Sequence, residues 1–141
     1  MGRIGLKSGT YPLATFEKTL AFGKEIAQSI SKNTVLALSG DLGAGKTTFV
    51  QGLALGLSIE EPIQSPTFVL LNVYEGLAHF DLYRLKSPDD FMSLGFDEYF
   101  HNNNICAIEW PDRIKDLLPK DTIHIHFSYE NEGRCAQVKV C

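Results

Sequence analysis

Apolar positions along the chain follow two rhythms, and the switches between them mark out the elements. From Phe16 to about Ser31, the apolar or small residues Phe16, Leu20, Gly23, Ala27 and Ile30 recur at spacings of 4, 3, 4 and 3. That is one stripe of an amphipathic helix. The run Val35-Leu36-Ala37-Leu38 is short and unbroken, as a strand covered on both faces requires. After a glycine-bearing turn, Phe49, Val50, Leu53, Ala54 and Leu57 resume helical spacing between Thr47 and Leu57. Strand, turn and helix follow in that order.

Two β-rich runs, Thr67 to Tyr74 and Leu77 to Tyr83, meet across Glu75-Gly76, a joint that allows only an antiparallel hairpin. In the second run Leu77, His79, Asp81 and Tyr83 share one face, and Ala78, Phe80 and Leu82 the other. Ser87-Pro88-Asp89-Asp90 opens a helix: a Ser cap, Pro in the first turn and acids at the positive end of the dipole. Gly95 keeps that helix short. Ile105-Cys106-Ala107-Ile108 predicts a second buried strand, ending in Glu109-Trp110-Pro111. Thr122 to Tyr129 alternates, turns at Asn131-Glu132-Gly133, and alternates again from Arg134 to Val140, which predicts a terminal antiparallel hairpin. The expected fold is α/β in three layers, with a mixed sheet: a parallel core extended by antiparallel strands and the C-terminal hairpin.

Length and composition narrow this further. The 141 residues suit a single domain, and 44% hydrophobic with 21% charged residues is ordinary globular usage rather than disorder. Thirteen Lys and Arg against 17 Asp and Glu leave a net charge of −4, so a general basic nucleic-acid footprint is absent. Any nucleic acid in this protein's biology is expected to be handled by a partner. Cys106, Cys135 and Cys141 are an odd set without C-x-x-C spacing, which suits a reducing compartment. No apolar run approaches the roughly 20 residues of a membrane span. Met1 to Leu6 lacks the layout of a secretory signal, and Leu6 stands where a myristoylation motif has Ser or Thr. A cytoplasmic chain without membrane association is the expectation.

The strongest chemical signal is Gly40-Asp41-Leu42-Gly43-Ala44-Gly45-Lys46-Thr47, a full match to the phosphate-loop pattern G-x-x-x-x-G-K-[ST]. Its glycines let the backbone wrap so that successive N–H groups face phosphate oxygens, and the following helix adds its unpaired N–H groups. Lys46 would neutralise the β- and γ-phosphates, and the Thr47 hydroxyl would ligate Mg²⁺. A chance glycine-rich turn would lack the apolar strand before it and the amphipathic helix after it; both are here. The nucleotide-binding set is therefore Asp41, Leu42, Gly43, Ala44, Gly45, Lys46, Thr47 and Thr48, with Thr48 reading equally as a helix residue facing solvent.

A Mg-nucleotide site also needs carboxylates, and strands that run parallel to the phosphate-loop strand end at the same sheet edge. Glu109, after Ile105–Ile108, has that position, although Glu replaces the usual Asp; Asp81 is the second candidate. Each also reads as an ordinary strand-end charge. His79 either hydrogen-bonds Asp81 or decorates the strand. Ser65-Pro66-Thr67-Phe68 is a Pro turn opening a strand, or a hydroxyl segment ordered by a triphosphate. Arg84 and Trp110 read first as structural, and His124 and His126 as solvated.

Taken together, GDLGAGKTTFVQGL at 40–53, SPTF at 65–68, H-F-D-L-Y-R at 79–84 and IEWPDR at 108–113 resemble the bacterial TsaE (YjeE) family of small P-loop ATPases. The resemblance covers residues 16–118 in order and spacing, and the final hairpin adds little to it. It implies one ATPase domain over 1–141 that serves the formation of threonylcarbamoyladenosine on tRNAs reading ANN codons. It also implies ATP and Mg²⁺ as cofactors and a TsaD–TsaB heterodimer as partner, with tRNA met only through that complex. On this reading Lys46, Asp81 and Glu109 are catalytic, Thr47 and Glu109 serve the metal, and Thr67 is the switch hydroxyl. Glu109 is placed near Mg²⁺, and Asp81 near the attacking water or in partner-dependent activation. Two other functions fit a phosphate loop: a small metabolite kinase, which the lack of a lid-like insertion disfavours, and an ATP-dependent switch module in which hydrolysis is only a timer. A GTPase is disfavoured because no N/T-K-x-D-like segment is present.

Overall fold

The computed structural model describes residues 6–40, 45–64, 66, 69–130 and 133–140. Its elements are β1 (Gly9–Leu13), α1 (Phe16–Ser29), β2 (Val35–Gly40), α2 (Lys46–Gly56), β3 (Leu71–Tyr74), β4 (Leu77–Asp81), α3 (Pro88–Ser93), β5 (Ile105–Glu109), β6 (Ile123–Glu130) and β7 (Gly133–Lys139). Two 3₁₀ segments, Phe96–His101 and Pro111–Leu117, flank β5. The strands form one sheet in the order β1-β7-β6-β2-β5-β4-β3. β4, β5, β2 and β6 run parallel, while β3 and β7 pair antiparallel to their neighbours and β1 is antiparallel to β7. The mixed, three-layer α/β architecture expected from the sequence is the one observed.

Side-chain alternation divides the core between the two faces of the sheet. On one face Leu36 and Leu38 of β2, Ala107 of β5, and Ile125 and Phe127 of β6 pack against Phe22 and Ile26 of α1 and Phe49 and Leu53 of α2. On the other, Phe80, Cys106 and Ile108 meet Phe91 of α3, Phe100 and Ile114. The unbroken apolar runs of β2 and β5 follow from this, because both of their faces are covered.

Local sequence explains the helix starts. Thr15 caps α1 by accepting from the Lys18 N–H at 3.1 Å, and Ser87 caps α3 by accepting from the Asp90 N–H at 3.3 Å. α1 and α2 touch backbone to backbone. A Cβ on Gly23 would run into the Phe49 carbonyl oxygen, and one on Gly52 into that of Leu20. This contact fixes α2, and so the residues at its first turn, against the rest of the fold. Gly40 closes β2 at φ 128°, where a Cβ would strike the Phe127 carbonyl oxygen of β6.

Three boundaries differ from the expectation. β1 was not foreseen: Gly9 and Pro12 break any strand pattern, and only an edge position, where a missing N–H costs little, accommodates that proline. The first strand of the central hairpin begins at Leu71, just after Leu70 takes φ 67°, so Val69 and Leu70 precede it, while Thr67 and Phe68 of the expected strand lie outside the described residues. The second ends at Asp81 rather than Tyr83, where the chain turns. Asn131 and Glu132, at the terminal turn, lie outside the described residues. No helix among the described residues is long and apolar enough to cross a membrane.

Candidate active site

β2, β5 and β4 run parallel and side by side, so their C-terminal ends share one edge of the sheet. β2 delivers Gly40 there, β5 delivers Glu109 and β4 delivers Asp81. Register places Leu38 beside Glu109 and Glu109 beside Asp81. The two acids share the face of Leu77 and Ala107, the face on which α1 and α2 lie. Lys46, Thr47 and Thr48 form the first turn of α2 above the same edge, preceded by Gly45 at φ 108°. Residues predicted from three separate segments thus converge. Asp41, Leu42, Gly43 and Ala44, and the switch candidate Thr67, lie outside the described residues.

Lys46 is almost wholly buried, at 5% exposure. Its ammonium donates to the Gly40 carbonyl oxygen at 3.0 Å and stands 4.9 Å from the centre of the Trp110 ring. The cation therefore rests between a carbonyl dipole and an aromatic face. Trp110 in turn packs against Tyr83, ring centres 5.0 Å apart, and holds φ 59° immediately before Pro111. A bulky residue in the left-handed region is uncommon and costs energy that the surroundings must repay. Here the strained backbone carries the indole over Lys46. The sequence reading of Trp110 as partial core is half of the picture, since it also packs against the Phe80–Phe91 core.

Glu109 is 6% exposed, and its Oε2 lies 2.7 Å from Nε2 of His79, which is fully buried. His79 therefore serves Glu109, not Asp81 and not the solvent. Its other ring nitrogen, Nδ1, is buried with no hydrogen-bond partner among the described residues. Asp81 is more open, and its Oδ1 accepts the Tyr83 N–H at 3.1 Å. Burial raises the Asp81 carboxyl above its ordinary value; the Tyr83 N–H opposes this, Glu109 adds repulsion, and His79 and Lys46 pull the other way. Two neighbouring carboxyls thus sit in different environments, one locked and one free to meet a water.

No group of three or more His, Cys, Asp or Glu suited to a metal occurs among the described residues. The donors at this edge are hard oxygens: the Thr47 hydroxyl and the two carboxylates. That set fits Mg²⁺, which keeps several waters and shares phosphate oxygens rather than occupying an all-protein cage. His124 and His126 are exposed, and His126 Nδ1 lies 2.9 Å from Ser39 Oγ. Arg84 is exposed at the turn after β4.

Fold and site together define an α/β protein of the P-loop NTPase fold. The family model described as "Threonylcarbamoyl adenosine biosynthesis protein TsaE" matches residues 13–137, and the chain belongs to the TsaE family. The match reaches into β7, so it takes in most of the terminal hairpin, beyond the residues 16–118 expected from motifs alone. The chain is similar to the tRNA threonylcarbamoyladenosine biosynthesis protein TsaE of Treponema pallidum (strain Nichols), 45% identical over 83% of this chain and 89% of the relative. It is similar also to the TsaE protein of Nostoc sp. (strain PCC 7120 / SAG 25.82 / UTEX 2576), 46% identical over 86% of this chain and 78% of the relative. The crystal structure of Bacillus subtilis YdiB superposes with a TM-score of 0.80 at 33% identity, covering 96% of this chain and 87% of that one.

Proposed function

We propose that this chain is the ATP-binding and ATP-hydrolysing subunit of the cytoplasmic machinery that forms threonylcarbamoyladenosine on tRNAs reading ANN codons. It acts on the TsaD–TsaB heterodimer, does not itself transfer the threonylcarbamoyl group, and meets tRNA only through that complex. The observation that carries this reading is the convergence of Lys46 and Thr47 with Asp81 and Glu109 at one sheet edge, in a chain of the TsaE family.

Lys46 leaves the Gly40 carbonyl for the β- and γ-phosphates, exchanging one acceptor for several of higher charge. Bound Mg²⁺ supplies charge neutralisation on the phosphates, and Thr47 and Glu109 hold it. Glu109 is suited to that duty because His79 fixes one of its oxygens and leaves the other free. Asp81, with its raised affinity for a proton, orients the attacking water and takes its proton. The net acidity of the chain agrees with a protein rather than a nucleic-acid partner.

The test is steady-state ATP hydrolysis by the purified protein, alone and with the TsaD–TsaB heterodimer, with Lys46→Ala as control. Strong stimulation that the Lys46 variant loses is the expected result. Tight ATP binding with no stimulation would overturn gated hydrolysis and leave the switch-module reading, which a non-hydrolysable analogue then tests.

A further inference from the structure

The end of β2 is held from one side only. β5 pairs with β2 from Val35 to Leu38, and Glu109, the partner of Leu38, is followed by the left-handed turn at Trp110. β6 continues for two residues more, with Ser39 beside His126 and Gly40 beside Phe127. These two residues are the root of the phosphate loop. The Gly40 carbonyl oxygen accepts the Lys46 ammonium at 3.0 Å, so whatever fixes the root also fixes the point from which Lys46 reaches a phosphate.

β6 grips the root twice. Gly40 lies so close to β6 that a Cβ would strike the Phe127 carbonyl oxygen. Leu38 and Phe127 pack on the α1 and α2 face, so alternation sends Ser39 and His126 to the opposite one. There Ser39 Oγ lies 2.9 Å from His126 Nδ1. A hydroxyl can donate to a bare ring nitrogen or accept from a protonated one, so this bond holds with either tautomer and either charge of the ring. His124 stands on the same face two residues earlier, but its neighbour on β2 is Ala37, which has no polar side chain to offer.

We propose that His126 is a positioning residue for phosphate binding: through Ser39 it pins the last residues of β2, so that Gly40 and Lys46 meet the phosphates from a fixed frame. The imidazole lies across the sheet from α2 and acts without touching the ligand. A root ordered in advance removes an entropic cost that would otherwise oppose binding. This rests on the ATP reading above.

The experiment measures binding of ADP and of inorganic tripolyphosphate by calorimetry, with melting curves alongside. His126→Phe keeps a ring and loses the bond, Ser39→Ala removes the other partner, and the double variant closes the cycle. His126→Asn returns a polar atom near the place of Nδ1, and His124→Phe is the control on the same face. Both single losses should weaken both ligands about threefold to fivefold, with no further loss in the double variant. His126→Asn should recover most of the affinity, and His124→Phe should leave it unchanged. Unchanged affinity in His126→Phe overturns the inference, as do additive losses in the double variant or a loss confined to ADP. A lower melting temperature in His126→Phe with no recovery in His126→Asn also overturns it, reducing His126 to a structural part of β6. A wild-type protein that binds neither ligand overturns the ATP reading itself.

Discussion

His79 Nε2 lies 2.7 Å from Glu109 Oε2, and both residues are buried where β4 and β5 run side by side. His79 brings no exposed surface to the site, so its influence passes through the carboxylate it holds. A hydrogen bond to an ionised group contributes on the order of 1.5–3 kcal/mol, enough to fix one rotamer of Glu109. His79→Ala should therefore leave ADP affinity within about twofold, lower turnover about tenfold or more, and raise the Mg²⁺ concentration needed for half-maximal turnover. His79→Gln, which keeps an N–H donor of similar reach, should recover most of the loss. Equal turnover in the Ala and Gln variants would show that the imidazole acts only by filling space.

Asp81 should oppose stability while serving the reaction. In the unfolded chain it titrates near its ordinary value of 3.8, and in the folded protein burial holds it higher. Below both values the group is protonated in both states and contributes nothing. As pH rises past 3.8 the unfolded chain releases its proton first, so folding loses stability until the native carboxyl ionises, and that loss persists at neutral pH. Asp81→Asn can still accept the Tyr83 N–H. The variant should melt above the wild type at pH 7, with the difference vanishing as pH falls below about 3.8. Its turnover should drop about a hundredfold or more, as removal of a general base does. A lower melting temperature at pH 7 would show that the ionised carboxylate is stabilised in place.

Legibility in the sequence followed physical simplicity. The apolar runs at Val35–Leu38 and Ile105–Ile108 and the motif from Gly40 to Thr47 each depend on local pattern, and they brought the fold class, Lys46, Thr47 and Glu109 with them. Period-two alternation placed His79 and Asp81 on one face, yet it could not say that His79 reaches diagonally to the next strand. That contact depends on the β4–β5 register. Trp110 over Lys46 was illegible for another reason: a left-handed residue before proline runs against local preference, and tertiary packing imposes it. β1 pairs with β7 from the opposite end of the chain, and Arg134 approaches Gly45 from a distant part of the sequence; nothing local announces either contact.

Trp110 is the only tryptophan, and Lys46 Nζ sits 4.9 Å from the centre of its ring. A phosphate that draws Lys46 away from Gly40 must also change the charge above the indole. Intrinsic fluorescence should therefore report ADP binding directly, with an emission change that saturates at the calorimetric affinity. Lys46→Ala should shift the emission of the free protein and abolish the response to ADP. A silent tryptophan in a protein that calorimetry shows to be saturated would mean that Lys46 keeps its position when phosphate binds.

The seat of α2 can be tested far from the chemistry. Alanine is the better helix former by about 1 kcal/mol, so Gly52→Ala would stabilise α2 if the position were open. Instead a Cβ at Gly52 would strike the Leu20 carbonyl oxygen and come within 3.0 Å of Gly23 Cα, both backbone atoms of α1. Neither can swing aside as a side chain would. Forcing helices apart in a packed interior typically costs about 1–3 kcal/mol, so the clash outweighs the propensity gain. The variant should melt several degrees lower and bind ADP more weakly, because displacing α2 also displaces Lys46 and Thr47 in its first turn. Gly76→Ala is the contrast: a Cβ there meets nothing within 4 Å, its φ of 86° supplies the only penalty, and it lies at the turn before β4, at the opposite edge of the sheet from Lys46 and Thr47. It should lower the melting temperature while leaving ADP affinity intact. Loss of affinity in Gly76→Ala, or its retention in Gly52→Ala, would show that the α1–α2 contact does not position the phosphate-binding turn.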